Sequence, residues 1–358
     1  MINAQKVLAH ASNGSVSDVF RWIIVVVASL GLGVAFTAWN VPAAWILAAI
    51  IASGAIALGT GRELVINKKF YAFGRGIIGV LAAVPLVGVP AMQLLGYLPA
   101  GLAVAAVTVG IGFGGGILLS RYGVSHETGI LSMLSGGASI MPVIAHELGA
   151  DARYVALTQY LRLLAVSMTL PLVASFLDRP GESTIAPLAS VPWWMWLVVI
   201  AIAVLGNPLA KLIRLPVPSV FGPLLLTVLV SYLLTQFGAG GVVVPAPLSI
   251  ISFLAIGWVC GGTLSVPALK RFGRLLPATL IFIAVVMAAC AAMGWVVSVW
   301  LGISYFEGYL ATSPGALETV LALSAEGGAG PAVVAIQLIR LVAILLMAGW
   351  LPKILKKL

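Results

Sequence analysis

The sequence predicts an all-α, polytopic membrane protein of about ten transmembrane helices, laid out as two inverted five-helix repeats with re-entrant segments. Three observations predict it. Charged residues make up only 8% of the 358 residues and hydrophobic residues 61%, with a mean hydropathy of +1.16. A soluble domain carries roughly 25% charged residues, so no water-facing surface of ordinary size can be built. Uncharged runs cover 22–61, 76–120, 183–210, 215–269 and 275–306. Each exceeds the roughly 20 apolar residues of a spanning helix, and none resembles the roughly 10-residue alternating strands of a membrane barrel. Finally, the chain repeats itself: Gln159 and Arg162 recur as Gln337 and Arg340, an offset of 178 residues.

In order, residues 1–20 form a polar tail (Asn3, Gln5, Lys6, His10, Asp18) without the apolar core of a cleaved signal peptide. Spans follow at about 22–39, 42–59, 72–89, 98–119 and 154–177, then 192–213, 217–236, 248–264, 275–302 and 332–351. Two further segments, 124–150 and 304–327, are apolar but broken by Ser135-Gly136-Gly137-Ala138-Ser139 and by Thr312-Ser313-Pro314-Gly315-Ala316. The positive-inside rule decides their path. If both crossed, Arg153, Lys211, Arg214, Lys270, Arg271 and Arg274 would face outward. If both dip in and return, sixteen of the nineteen Lys and Arg lie inside or at an inner helix end, Arg179 lies outside, and Arg162 and Arg340 lie within spans. The sequence therefore predicts a multi-pass membrane protein with both termini cytoplasmic. Repeat 1 covers 21–178 and repeat 2 covers 192–358. An odd number of spans in each inverts one against the other, a transporter signature.

The repeat extends beyond Gln-x-x-Arg. Ser135, Gly137, Ala138, Gly149, Val155, Leu163 and Ala165 recur as Ser313, Gly315, Ala316, Gly327, Val333, Leu341 and Ala343 without a gap. Val41-Pro42-Ala43 is echoed more weakly by Leu215-Pro216-Val217 at a slightly different offset. The Gly114-Gly115-Gly116 run has no evident counterpart and reads as helix packing.

The stretch 134–141 (LSGGASIM), followed by 146–151 (HELGAD) and 159–162 (QYLR), resembles the membrane AbrB family. The second copy matches through 312–318 (TSPGALE) and 337–340 (QLIR), and Pro216-Val217-Pro218 with Phe221-Gly222-Pro223-Leu224 also fits. The resemblance covers nearly the whole chain and implies a duplicated domain in an inner-membrane protein. The family has carried the labels of a regulator of gene expression and of an ammonia-monooxygenase-like protein. In the family pattern an acidic residue follows the Gly-rich turn in both copies. Here Glu318 supplies it in repeat 2, whereas Ile140 stands at the matching place in repeat 1, so the resemblance yields no symmetrical acidic pair.

Neither label follows from the residues. A copper or iron oxygenase needs clustered ligands, and the chain has only His10, His126 and His146. Direct DNA binding needs a basic module, and the net charge of +9 is instead scattered between apolar runs. Cys260 and Cys290 read as small buried hydrophobes. No phosphate-cradling ATP loop is present.

The candidate substrate-binding residues are Ser135, Gly136, Gly137, Ser139, Gln159 and Arg162 in repeat 1, and Thr312, Ser313, Gly315, Gln337 and Arg340 in repeat 2. A guanidinium within a span is costly, about 2.5–3.5 kcal/mol on insertion scales, and it recognises carboxylate or phosphate in bidentate fashion. Gln159 and Gln337 share a helix face with the arginines. The structural alternative is an internal salt bridge, Arg340 with Glu318 or Arg162 with Glu147. The Gly-rich turns offer close backbone approach and helix N-termini to an anion. Glu318 is the candidate ion-coupling carboxylate. The sequence thus points to a secondary transporter of a small, anionic metabolite, with a membrane sensor that influences gene expression as the alternative. No enzyme activity, cofactor, metal or nucleic-acid partner is expected. The expected partners are the bilayer and the ligand, and a homo-oligomer is compatible with the sequence.

Overall fold

The computed structural model describes residues 16–355 except 40, 42, 122, 136–140, 179, 181–190 and 264–275. Gly136, Gly137, Ser139, Arg179 and most of the polar tail lie outside the described residues. The described chain is helical. Repeat 1 holds α1 (Val16–Ala38), α2 (Ala44–Thr60), α3 (Lys68–Ala83, extended by a 3₁₀ turn at Val84–Leu86), α4 (Ala91–Gly96), α5 (Leu98–Ser120), α6 (His126–Met133), α7 (Met141–Glu147) and α8 (Ala152–Ala174). Repeat 2 holds α9 (Trp193–Leu212), α10 (Pro218–Gln236), α11 (Ala246–Gly262), α12 (Leu276–Leu301), α13 (Tyr305–Thr312), α14 (Leu317–Glu326) and α15 (Pro331–Leu355).

By length and composition, eight helical stretches can cross a bilayer: those at α1, α3, α4–α5, α8, α9, α10, α12 and α15. The remaining long helices, α2 and α11, are apolar and 17 residues each, the lower end of the roughly 17–25 residues that span. The protein is a multi-pass membrane protein. Several of its buried hydroxyls are satisfied within their own helices, as lipid, which offers no partners, requires. Ser29, Thr108 and Thr227 donate to the carbonyls of Val25, Val104 and Pro223, one turn back in their own helices. Trp39, Trp193, Trp300 and Trp350 are exposed near helix ends, as an interfacial belt requires.

The eight-residue helices α6 and α13 are about 12 Å long at roughly 1.5 Å per residue, far short of the roughly 30 Å hydrocarbon core. Each belongs to a hairpin that closes on itself. Ser125 caps α6 by accepting from Thr128 N, and Thr128 Oγ1 accepts from Asp151 N at 3.1 Å, just before α8. Ser304 caps α13 by accepting from Glu307 N, and Glu307 Oε1 accepts from Gly330 N at 2.7 Å, just before α15. The start of each broken segment is therefore tied to the start of the helix that follows it.

Packing divides the helices into two groups. In the first, α2 packs on α1 and α11, and α10 packs on α9 and α3, with α3 and α11 in contact at the centre. In the second, α6 lies against α5 and α8, and α13 lies against α12 and α15. The same partners thus recur in the two halves. Gly116 of α5 meets the backbone of Gly129 in α6, and Gly294 of α12 meets the backbone of Gly308 in α13. A Cβ on any of the four would strike main chain. Gly116 therefore has a counterpart after all: Gly294, at the common offset of 178. The weak proline echo also has a backbone form. Ala43 and Val217, the N-caps of α2 and α10, both take left-handed φ angles of 55° and 44°. The groups meet mainly where α14 packs on α3, with α8 touching α2 and α11.

Candidate functional site

In each half, the carbonyls at the broken helix's C-terminal end point into the protein interior with no further turn to receive them. The last carbonyls of any helix lack intrahelical donors, and lipid offers none. Gln-x-x-Arg supplies them. In repeat 1, Gln159 Nε2 donates to the carbonyls of Leu131 and Leu134, both at 2.8 Å, and Arg162 Nη1 donates to Leu134 O at 2.9 Å. Arg162 Nη2 closes the unit on Gln159 Oε1 at 2.8 Å. In repeat 2, Gln337 Nε2 donates to Leu310 O at 2.6 Å, Arg340 Nη1 donates to the carbonyls of Thr312 and Ser313, and Arg340 Nη2 donates to Gln337 Oε1 at 2.7 Å. The same unit has been built twice. A positive charge at a helix C-terminus also complements the dipole.

These groups are deeply buried: Gln159 and Gln337 are 0% exposed, Arg162 2% and Arg340 6%. Among the described residues, neither arginine forms a salt bridge. The two guanidinium groups are close enough to repel each other, and Cys290 of α12 lies within electrostatic reach of both. Thr312 Oγ1 donates to the Cys290 carbonyl at 2.7 Å. Arg162 Nε, Ser132 Oγ and Ser313 Oγ are buried without partners. Among the described residues, the breaks therefore hold two positive charges with no carboxylate paired to them, and three polar atoms still unsatisfied.

The family model described as "Transition state regulatory protein AbrB" matches residues 45–356. The chain belongs to the AbrB family. It is 33% identical over 335 residues to the Escherichia coli (strain K12) protein named "Putative regulator AbrB", covering 92% of this chain and 94% of that one. It is 22% identical over 354 residues to the Bacillus subtilis (strain 168) "Uncharacterized protein YhjN", covering 90% of each.

In this AbrB-family chain, then, Gln159, Arg162, Gln337 and Arg340 come together with Ser135, Thr312 and Ser313, all buried. Gly315 lies against Val166 of α8, which a Cβ there would crowd. Glu318 lies elsewhere. It pairs not with Arg340 but with Arg75 of α3, Nη2 to Oε1 at 2.6 Å. Arg340 turns instead toward the α13 carbonyls, and α14 carries Glu318 away toward α3. Sequence reasoning missed Arg75, because the apolar run begins at Gly76 and Arg75 counted as an inner helix end. In fact α3 begins at Lys68, which puts Arg75 two turns inside it. The helical spacing of Tyr71 and Arg75 was the available signal. Also missed were Ser167 and Thr319, whose hydroxyls are 3.4 Å apart, and the proximity of Cys260 to both.

Proposed function

We propose that this AbrB-family protein is a secondary transporter of a small anionic metabolite in the bacterial inner membrane, with both termini cytoplasmic and no enzymatic step. One observation carries the reading. Arg162 and Arg340 are buried together at two broken helices, and among the described residues no carboxylate pairs with either. Buried charges are ordinarily paired. Two helix C-termini, each equivalent to about half a negative charge, offset only part of the positive charge. The remainder favours an anion between the breaks, where Arg162 Nε and Ser313 Oγ are unsatisfied. Read with the positive-inside rule, the two halves run in opposite senses and their hairpins enter from opposite faces. Alternating access then follows from one helix group rocking on the other around this midplane site.

The names carried by the family model and the Escherichia coli relative favour a second reading, a ligand sensor without flux. Purified protein in liposomes, tested with a panel of carboxylates and inorganic oxyanions, separates the two. Transport predicts saturable uptake and counterflow, reduced at least tenfold in R162K, which keeps the charge but loses the guanidinium fork. Saturable binding with no flux under any ion gradient would establish the sensor instead.

A further inference from the structure

A second polar cluster lies where the two helix groups meet. The guanidinium of Arg75 sits over the Tyr71 ring, 5.7 Å from its centroid, and pairs with Glu318 at 2.6 Å. Next to Glu318, Thr319 Oγ1 lies 3.4 Å from Ser167 Oγ of α8, with Cys260 of α11 close by. The ion pair is largely enclosed: the side chains of Arg75 and Glu318 are 22% and 12% exposed. Arg75 Nε is buried without a partner. Four helices, two from each group, supply the cluster.

Fold stability does not account for this pair. Taking two charges out of water costs about as much as their attraction returns, and an apolar pair of similar volume serves as well. Repeat 1 has Ile140 where repeat 2 has Glu318. Arg75 is also the one described cation within the helices that already holds a carboxylate across the group interface. Any small carboxylate presents the same two oxygens as Glu318, whose own side chain could turn away only if its charge were neutralised.

We propose that Arg75 and Glu318 form an exchange site, in which a small monocarboxylate displaces Glu318 from Arg75 while Glu318 takes up one proton. Before exchange the cluster holds one guanidinium and one carboxylate. Afterwards it holds the guanidinium, the ligand carboxylate and a neutral carboxylic acid. One O–H bond forms on Glu318, its proton coming from adjoining water, and the net charge is unchanged. An ionised Glu318 stranded beside a bound anion would carry an uncompensated buried charge. The groups facing Glu318 fit this exchange. Tyr71 and Arg75 come from α3 and Cys260 from α11, while Ser167 of α8 meets the neighbouring Thr319. Arg340 of α15 is turned to the Thr312 and Ser313 carbonyls, and Glu307 of α13 is held by Ser304 and Gly330. Coupling of the exchange to movement across the membrane rests on the transport reading, whereas the exchange itself is a binding event.

The test uses the full chain in detergent, with acetate, lactate and benzoate as probes. In weakly buffered solution, saturating probe should draw about one proton per protein from the medium. Affinity should fall about tenfold for each unit of pH rise where Glu318 is ionised in the free protein. E318Q should bind with no proton uptake and with affinity independent of pH, and R75K should bind at least tenfold more weakly. Binding by the parent protein without proton uptake, a pH slope that survives in E318Q, or no binding of any probe would each overturn the proposal. The same probes in liposomes keep the two readings apart. Proton-linked binding without flux leaves the exchange site standing and removes transport. Flux without proton uptake does the reverse.

Discussion

At each break, one amide side chain faces two ways. Gln337 donates to Leu310 O and accepts from Arg340, and Gln159 stands in the same relation to Leu131, Leu134 and Arg162. Leucine at either position would fill the volume and leave carbonyls without donors, each stranded group costing about 1–3 kcal/mol. Q159L and Q337L are expected to lower the thermal unfolding midpoint in detergent. Q337E should do worse than the glutamine it replaces, because its oxygens would face the Leu310 carbonyl. An unchanged midpoint in all three would mean that the caps contribute nothing. The polar pair was visible in the sequence as Gln-x-x-Arg inside an apolar run. Its use was not. Helical spacing shows which side chains share a face, not which carbonyls another segment brings to that face, and the Arg340–Glu318 bridge that stood as the structural alternative failed for that reason.

The short helices depend on close backbone approach. Gly116 with Gly129, and Gly294 with Gly308, let each broken helix lie against the long helix before it. Leucine at Gly116 or Gly294 would push α6 or α13 away, an overpacking cost of about 1–3 kcal/mol. It should lower the melting midpoint and the yield of monodisperse protein. Gly114 has nothing within 4 Å of a Cβ, so G114L should melt like the parent; equal melting of G114L, G116L and G294L would remove the argument. The long elements were legible from apolar runs, and all ten expected spans correspond to helices within a few residues. The pairing of Gly116 with Gly294 was not, because a glycine run in a membrane sequence looks the same whether one residue in it is pinned or none is.

For the whole molecule, the closing contacts Asp151 to Thr128 and Gly330 to Glu307 tie the start of each broken segment to the start of the long helix after it. A hairpin that returns to its entrance, as the re-entrant reading has it, puts Arg121 and Arg153 on one face of the membrane. Cysteines placed at 121 and 153 should react alike with a membrane-impermeant maleimide in spheroplasts and in inverted vesicles. Opposite reactivity would mean that the intervening segment crosses, and would end the ten-span topology. The halves repeat their helix contacts, yet the ion pair between the helix groups uses Glu318 of repeat 2 and Arg75 of repeat 1. A duplicated frame thus holds an unduplicated ion pair.

Composition and the spacing of apolar runs were enough to specify a helical, multi-pass membrane protein and its duplicated Gln-x-x-Arg, because lipid permits few ways to hide a backbone and each leaves a length and a period in the chain. Which partner each buried charge takes came only with the packed helices. Arg75 and Glu318 are 243 positions apart, and no local pattern records a contact made by α14 crossing to a helix of the other half.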